Sequence, residues 1–297
     1  MAMKKIDMHI HVVKESGMCY PHDLSTFCTV EEILPKYDKM GVDKAVLLPL
    51  VSPEARYQMV MTEEEMEIYN QHPDRFYWFC NVDPRVGLNS EKTDLSWFLE
   101  YYKDKGALGV GEVTINLPFD HPMVENLFKH CQKQKMPLLF HISPKAGYSY
   151  GLVDHLGLPL LEKALQKFPD LLFIGHSQPF WAEMSSDLTE NDRNSYPKGK
   201  IIDGRVPQLL RKYGNLYGDL SAGSGFNAVK RDPEYGYDFI EEFQDQLFYG
   251  TDICSPREEN GLSDWLDDAF AKQKISKAAY EKVCRTNALK LLEKKIL

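Results

Sequence analysis

Residues 137–141 read Pro137-Leu138-Leu139-Phe140-His141, and residues 171–176 read Leu171-Leu172-Phe173-Ile174-Gly175-His176. Each is a short apolar run that ends in a histidine. Neither alternates polar with apolar side chains. Such runs suit strands buried on both faces, as in a parallel sheet. A stretch of helical length, 158–168, lies between them. The same order extends in both directions. Strand-like runs occupy 4–11, 43–50, 75–82, 107–114, 215–221 and 246–252. Helix-like stretches occupy 30–40, 62–72, 122–135, 206–213, 234–244 and 263–273. Another follows Asp94 through Leu95, Phe98, Leu99 and Tyr102. In 30–40 the apolar residues Val30, Ile33, Leu34, Tyr37 and Met40 fall three or four apart. Thr62 with Glu65 three residues on reads as a capping box. The chain closes with 276–294, again at helical spacing.

Eight β segments alternating with α segments predict an α/β fold. Two architectures fit: a closed (β/α)8 barrel or a doubly wound open sheet. The open sheet usually carries G-x-G-x-x-G after its first strand. Here that place holds Val12-Val13-Lys14-Glu15-Ser16-Gly17. The count of eight therefore favours a TIM-type barrel with a C-terminal helix. No linker divides the chain, so 1–297 reads as one domain. The longest polar connection, 183–205, follows the sixth strand and suits either a lid over a site or a decorated surface loop.

Composition narrows the function. The chain has 297 residues, 35 basic and 44 acidic side chains, and a net charge of −9. Hydrophobic residues make up 43% and charged residues 27%, a globular balance that disfavours disorder, collagen or coiled coil. No apolar run reaches the roughly 18 residues of a membrane helix, and no signal-like region fits the start. Acidity weighs against broad binding of nucleic acid or anionic lipid. The six cysteines form no C-x-x-C pair and read as reduced thiols, which together with the absent signals points to the cytoplasm. Cys19 and Cys28, near the first histidines, remain candidate ligands.

Chemistry concentrates at the strand ends. The first strand ends Asp7-Met8-His9-Ile10-His11. Residues two apart on a strand share a face, about 6–7 Å apart at Cα. Two imidazoles so placed can converge on one cation with bonds near about 2.0 Å. The fourth strand ends Gly109-Val110-Gly111-Glu112, the fifth in His141, the sixth in His176 and the eighth in Gly250-Thr251-Asp252. In a barrel these ends gather at one mouth, where catalytic groups sit. A divalent metal would resolve four imidazoles and two carboxylates in a dehydrated site. A hydrogen-bond network without metal is the plainer alternative. Mixed nitrogen and carboxylate donors favour Zn²⁺, with Mn²⁺, Fe²⁺ and Co²⁺ open. Asp7 is placed to orient a ligand from behind.

This set in this strand order resembles the amidohydrolase superfamily. More narrowly, it resembles the amidohydrolase 2 family, which includes enzymes like aminocarboxymuconate semialdehyde decarboxylase. Supporting stretches are His72-Pro73-Asp74-Arg75-Phe76, Asn81-Val82-Asp83-Pro84-Arg85, Gly250-Thr251-Asp252 and Thr286-Asn287-Ala288-Leu289-Lys290-Leu291-Leu292. The resemblance implies that His9 and His11 bind a buried metal and that His141 binds it or a second one. It implies that Asp252 is both ligand and proton acceptor, and that His176 is a ligand of a second metal or an acid/base. Several branches carry a carboxylated lysine on strand four. Glu112 stands there instead and suits either a bridge between two cations, as in TatD-type nucleases, or a supporting acid.

The first expectation is thus a metal-dependent hydrolase of a small carbonyl- or phosphoester-containing metabolite, with one or two metal ions. The second is a metal-dependent nonoxidative decarboxylase of an unsaturated or aromatic carboxylic acid. A noncatalytic metal-storing barrel is disfavoured by the number of ligands, and a nuclease by the acidic charge. Candidate substrate contacts are Arg85, Lys145, Tyr148 and Trp181, all of which follow strands. Ser221 and Ser224 lie in a glycine-rich run that reads as a turn. His22, His72, His121, His130 and His155 fall away from strand ends and read as structural or solvated. Barrels of this type often pair, so a homo-oligomer stays open.

Overall fold

A computed structural model describes residues 3–20, 24–54 and 58–293. Eight parallel strands form the centre: β1 (Lys5–Ile10), β2 (Val42–Leu47), β3 (Phe76–Trp78), β4 (Val110–Val113), β5 (Leu138–Ser143), β6 (Phe173–His176), β7 (Leu216–Asp219) and β8 (Leu247–Phe248). Ladders join β1 to β2 and β2 to β3, and run from β4 through β5, β6 and β7 to β8. Two seams close the ring. A parallel bridge between Cys80 and Val110 links β3 to β4. At the other seam Met8 N–H donates to Tyr249 O at 3.0 Å and Asp252 N–H to His9 O at 2.8 Å. The fold is therefore a closed (β/α)8 barrel. In the β5–β6 ladder, Leu139 stands opposite Ile174 and His141 opposite His176. That register sets two histidines side by side at the mouth.

Apolar side chains from the strands form two layers. Ile6, Met8, Val46, Leu48, Phe79, Leu139, Ile174 and Phe248 pack together and fill the barrel, with Ala288 and Leu292 of the last helix closing one end. A larger cluster lies between the strands and the surrounding helices. Helices α1 (Val30–Met40), α2 (Thr62–Gln71), α3 (Ser96–Asp104), α4 (Pro122–Gln134) and α5 (Pro159–Lys167) follow the first five strands. On α1, Glu32 accepts from the Thr29 N–H at 3.0 Å, while Asp94 accepts from the Ser96 N–H ahead of α3. The capping box expected on α2 does not form. The Thr62 hydroxyl donates to Asn81 O at 2.9 Å and accepts from the Asn81 N–H, and Glu65 is buried. The run around Ser221 is likewise no simple turn. An α-helix begins at Ala222 and continues to Lys230, and Gly225 is needed where that helix presses on the Leu220 backbone.

The 183–205 segment packs down rather than standing free. Ser185 pairs with Asp203, and Arg193 is fully buried, donating to Pro144 O and to Asp154 O at 3.0 Å. No helix among the described residues is long and apolar enough to cross a membrane.

Candidate metal centre

β1 delivers His9, His11 follows directly after its end, and both are fully buried. His9 Nδ1 lies 2.7 Å from Asp219 Oδ2, and His11 Nδ1 lies 2.7 Å from Leu48 O. A carbonyl and a carboxylate only accept, so each Nδ1 carries the hydrogen when the ring is neutral. Each Nε2 is then a bare lone pair. Yet the two Nε2 atoms face each other at 3.1 Å. Two carboxylate oxygens join them. Glu112 Oε2 is 3.3 Å from His11 Nε2 and 3.7 Å from His9 Nε2. Asp252 Oδ1 is 3.3 Å from His9 Nε2 and 3.5 Å from His11 Nε2. With both rings neutral, as a bound cation requires, four acceptors converge without a hydrogen between them. Donors about 2.1 Å from a tetrahedral cation stand roughly 3.4 Å apart. The measured separations bracket that value, so the residues fit a divalent metal.

The other halves of the two carboxylates face a second pair of histidines. Glu112 Oε1 lies 2.7 Å from His141 Nδ1 and 3.9 Å from His176 Nε2. Asp252 Oδ2 lies 3.5 Å from His176 Nε2. Ring centroids of His141 and His176 are 5.4 Å apart, and those of His9 and His176 are 4.5 Å apart. Asp252 reaches this position with φ at 52°, a left-handed conformation that costs a non-glycine residue and is often found at functional sites. The electrostatics agree with the geometry. Burial disfavours ionised Glu112 and Asp252, but the histidines around them hold both well below the usual carboxylate range. His9 is driven the other way: burial opposes its charge, yet Asp252 and Asp219 push it well above the imidazole range. The cluster attracts positive charge.

Comparison with known proteins gives the family and the fold. The amidohydrolase family model matches residues 6–294. The chain belongs to the amidohydrolase 2 family. No curated protein sequence matches it. Among solved structures, it resembles an uncharacterized TIM-barrel protein from Bordetella bronchiseptica, with a TM-score of 0.64 and 16% identity over 98% of this chain and 99% of that one. It also resembles a dihydroxybenzoic acid decarboxylase from a Polaromonas species, solved with manganese and 2-nitroresorcinol, with a TM-score of 0.61 and 15% identity over 98% and 97% of the two chains. A third is a probable 2-pyrone-4,6-dicarboxylic acid hydrolase from Acinetobacter baumannii with citric acid bound, at 0.59 and 14% identity over 98% and 100%. At these identities the likeness speaks for the fold alone.

The fold brings all six strand-end residues together: His9, His11, Glu112, His141, His176 and Asp252. It also uses one that the sequence reading passes over. Asp219, at the end of β7, is fully buried and lies 3.2 Å from His176 Nδ1 as well as 2.7 Å from His9. The Ser221 hydroxyl donates to Asp219 Oδ2 at 2.6 Å and lies 2.9 Å from His176 Nδ1. Leu216-Tyr217-Gly218-Asp219 has the same form as the other strand ends, a carboxylate after an apolar start, and that signal could have found it. Asp7 ties β1 to β8, accepting from Thr251 N–H and Tyr37 O–H, and it also accepts from the His9 N–H.

A cavity of about 270 Å³ opens over the cluster. Tyr150, Gln178, Tyr196, Ser224 and Asn260 contribute to its walls. The four expected substrate contacts do not. Arg85 spends its guanidinium on Asp83 and Glu54, each held through two nitrogens at 2.7–3.0 Å. Lys145 and Tyr148 are exposed and pair with each other, the ammonium 5.0 Å from the ring centre. Trp181 is buried and donates to Asp219 O at 2.8 Å, bracing β7. Cys19 is half-buried and Cys28 pairs in a short strand with Val12, donating its N–H to Cys254 O. Cys254, not these two, lies beside Asp252, with its sulfur 3.5 Å from Oδ1. All six cysteines are free. His72 and His121 flank helix ends, His130 bonds Ser96 and His155 is exposed, while His22 lies outside the described residues.

Proposed function

We propose that the protein is a metal-dependent hydrolase of a small metabolite bearing a carbonyl or phosphoester group. One observation carries this reading: each carboxylate turns one oxygen to His9 and His11 and the other away, Glu112 toward His141 and His176 and Asp252 toward His176. That division suits two cations sharing Glu112 and Asp252. His9 and His11 would hold one, and His141 and His176 the other. Zinc is the proposed metal, on the mixture of imidazole and carboxylate donors. When bound, such ions bring water toward a pKa of about 7 and polarise a carbonyl or phosphoryl oxygen. The protein's own groups do the rest. Asp252 borders the cavity and stays ionised, so it is placed to accept a proton from the attacking water and pass it to the leaving group. His176 also borders the cavity and is the second proton-transfer group when one metal is present. The small cavity admits a metabolite rather than a polymer. Tyr196 brings the 183–205 segment to its edge, where that segment would cover the substrate.

A decarboxylase of an unsaturated or aromatic carboxylic acid is the second reading. It is favoured by the completeness of the His9, His11, Glu112 and Asp252 set, which suffices for a single ion. Metal content per chain separates the two. About two ions in the parent and about one in Glu112→Ala support the hydrolase. About one ion in both demotes Glu112 and turns the substrate screen to carboxylic acids. No ion in either, after addition of Zn²⁺ and Mn²⁺, overturns both.

A further inference from the structure

The opposite face of the barrel holds a larger opening, of about 840 Å³, within the size range of ligand sites. Leu108, Pro137 and Leu172 lie just before β4, β5 and β6, so this is the face at the strands' amino-terminal ends. With Met136 and Leu291 they make an apolar floor. Around it stand Lys103, Lys129, Lys133, Lys135 and Lys290, against one acid, Asp170. That ratio reverses the balance of a chain with net charge −9. Two of the lysines are committed: Lys103 Nζ donates to Gln134 O at 2.6 Å and Lys133 Nζ to Ser96 Oγ at 3.2 Å. Among the described residues, Lys129, Lys135 and Lys290 have no hydrogen-bond or ion-pair partner. Lysine stems add apolar surface while their ammonium groups stay at the rim.

We infer that this groove binds a small amphipathic anion, its apolar body on the floor and its carboxylate, sulfonate or phosphate head among the lysines. The inference does not depend on the metal reading. A purely apolar guest would leave several like charges gathered around it. A compact anion such as inorganic phosphate would leave the floor exposed.

The test uses the metal-loaded protein and the fluorescent probe 8-anilinonaphthalene-1-sulfonate, with decanoate, decyl phosphate, decanol and inorganic phosphate as competitors. One probe should bind per chain, decanoate and decyl phosphate should displace it, and decanol and phosphate should not. Binding should weaken as salt rises. Lys129→Glu with Lys290→Glu should weaken it about fivefold, since the change reverses two charges at the exposed rim. Turnover of the metal centre should be unchanged, because both lysines lie on the far face. Displacement by decanol as strong as by decanoate would overturn the inference. So would a double variant that binds the probe as the parent does. A stable dimer that binds no probe would also overturn it, and would assign the face to a second copy of the chain.

Discussion

Asp219 Oδ2 lies 2.7 Å from His9 Nδ1, which joins β7 to β1 behind the imidazole edge that faces the cluster. The contact fixes the tautomer that points the Nε2 lone pair into the cluster. Asp219→Asn keeps the size and loses the charge. Metal affinity should fall about 10- to 100-fold, the usual cost of removing such a partner. A competition titration with a metal-binding dye reads this directly, and an unchanged affinity would reduce Asp219 to a structural acid.

Removing the metal leaves four lone-pair donors facing one another at 3.1–3.7 Å. Dialysis against a chelator should abolish activity and lower the melting temperature by roughly 4–8 °C, taking an ion held at about 100 times its Kd. Added Zn²⁺ or Mn²⁺ should restore both. A melting temperature indifferent to chelator would mean that hydrogen bonds alone hold the cluster.

Glu183 offers a pH prediction remote from the metal. It accepts from the Gly157 N–H at 2.8 Å, and its Oε1 lies 3.6 Å from the buried Arg193. Burial pushes its pKa up to about 7, with Asp154 and Glu190 adding to the rise and Gly157 and Arg193 opposing it. The folded chain therefore keeps this proton where an unfolded chain has released it. The stability from that proton is complete below about pH 4.5 and is lost as pH rises through about 7. Glu183→Gln retains the acceptor and removes the titration. Its melting temperature should gain on the parent between pH 5 and 8. A difference constant with pH would exclude this assignment.

Gly250 has no room for a side chain. A methyl group there would stand 2.5 Å from Asp219 Oδ1 and 2.8 Å from Ser221 Cβ. Gly250→Ala should cost about 1–3 kcal/mol, as overpacking does, and should weaken metal binding by displacing Asp219. Denaturant unfolding alongside metal titration measures both. Loss of stability with intact metal affinity would show that the strain is absorbed elsewhere.

The barrel was legible because buried parallel strands leave continuous apolar runs, and Ala45 to Leu50 or Leu171 to Ile174 need no partner to be seen. The six ligand candidates were legible because each follows such a run. Asp219 escaped because the run 215–221 reads as one strand that continues past it, whereas the strand ends at Asp219 itself. Arg85, Lys145, Tyr148 and Trp181 stay outside the cavity walls for a related reason. Position after a strand sets the height of a residue in the barrel but not the direction of its side chain. Arg85 turns to two acids, Asp83 two residues before it and Glu54 thirty-one residues before it, and Trp181 turns inward to a carbonyl. The Thr62 box failed because Asn81, nineteen residues on, competes for the hydroxyl.

The seam where Asp252 N–H meets His9 O carries a consequence for how the protein is made. The first histidines leave the ribosome early, and the last acid of the cluster follows only after more than two hundred further residues. A nascent chain thus holds an H-x-H pair without its counter-charge or its neighbouring strand. A centre that needs Asp252 can form only once the eighth strand has emerged and paired with the first.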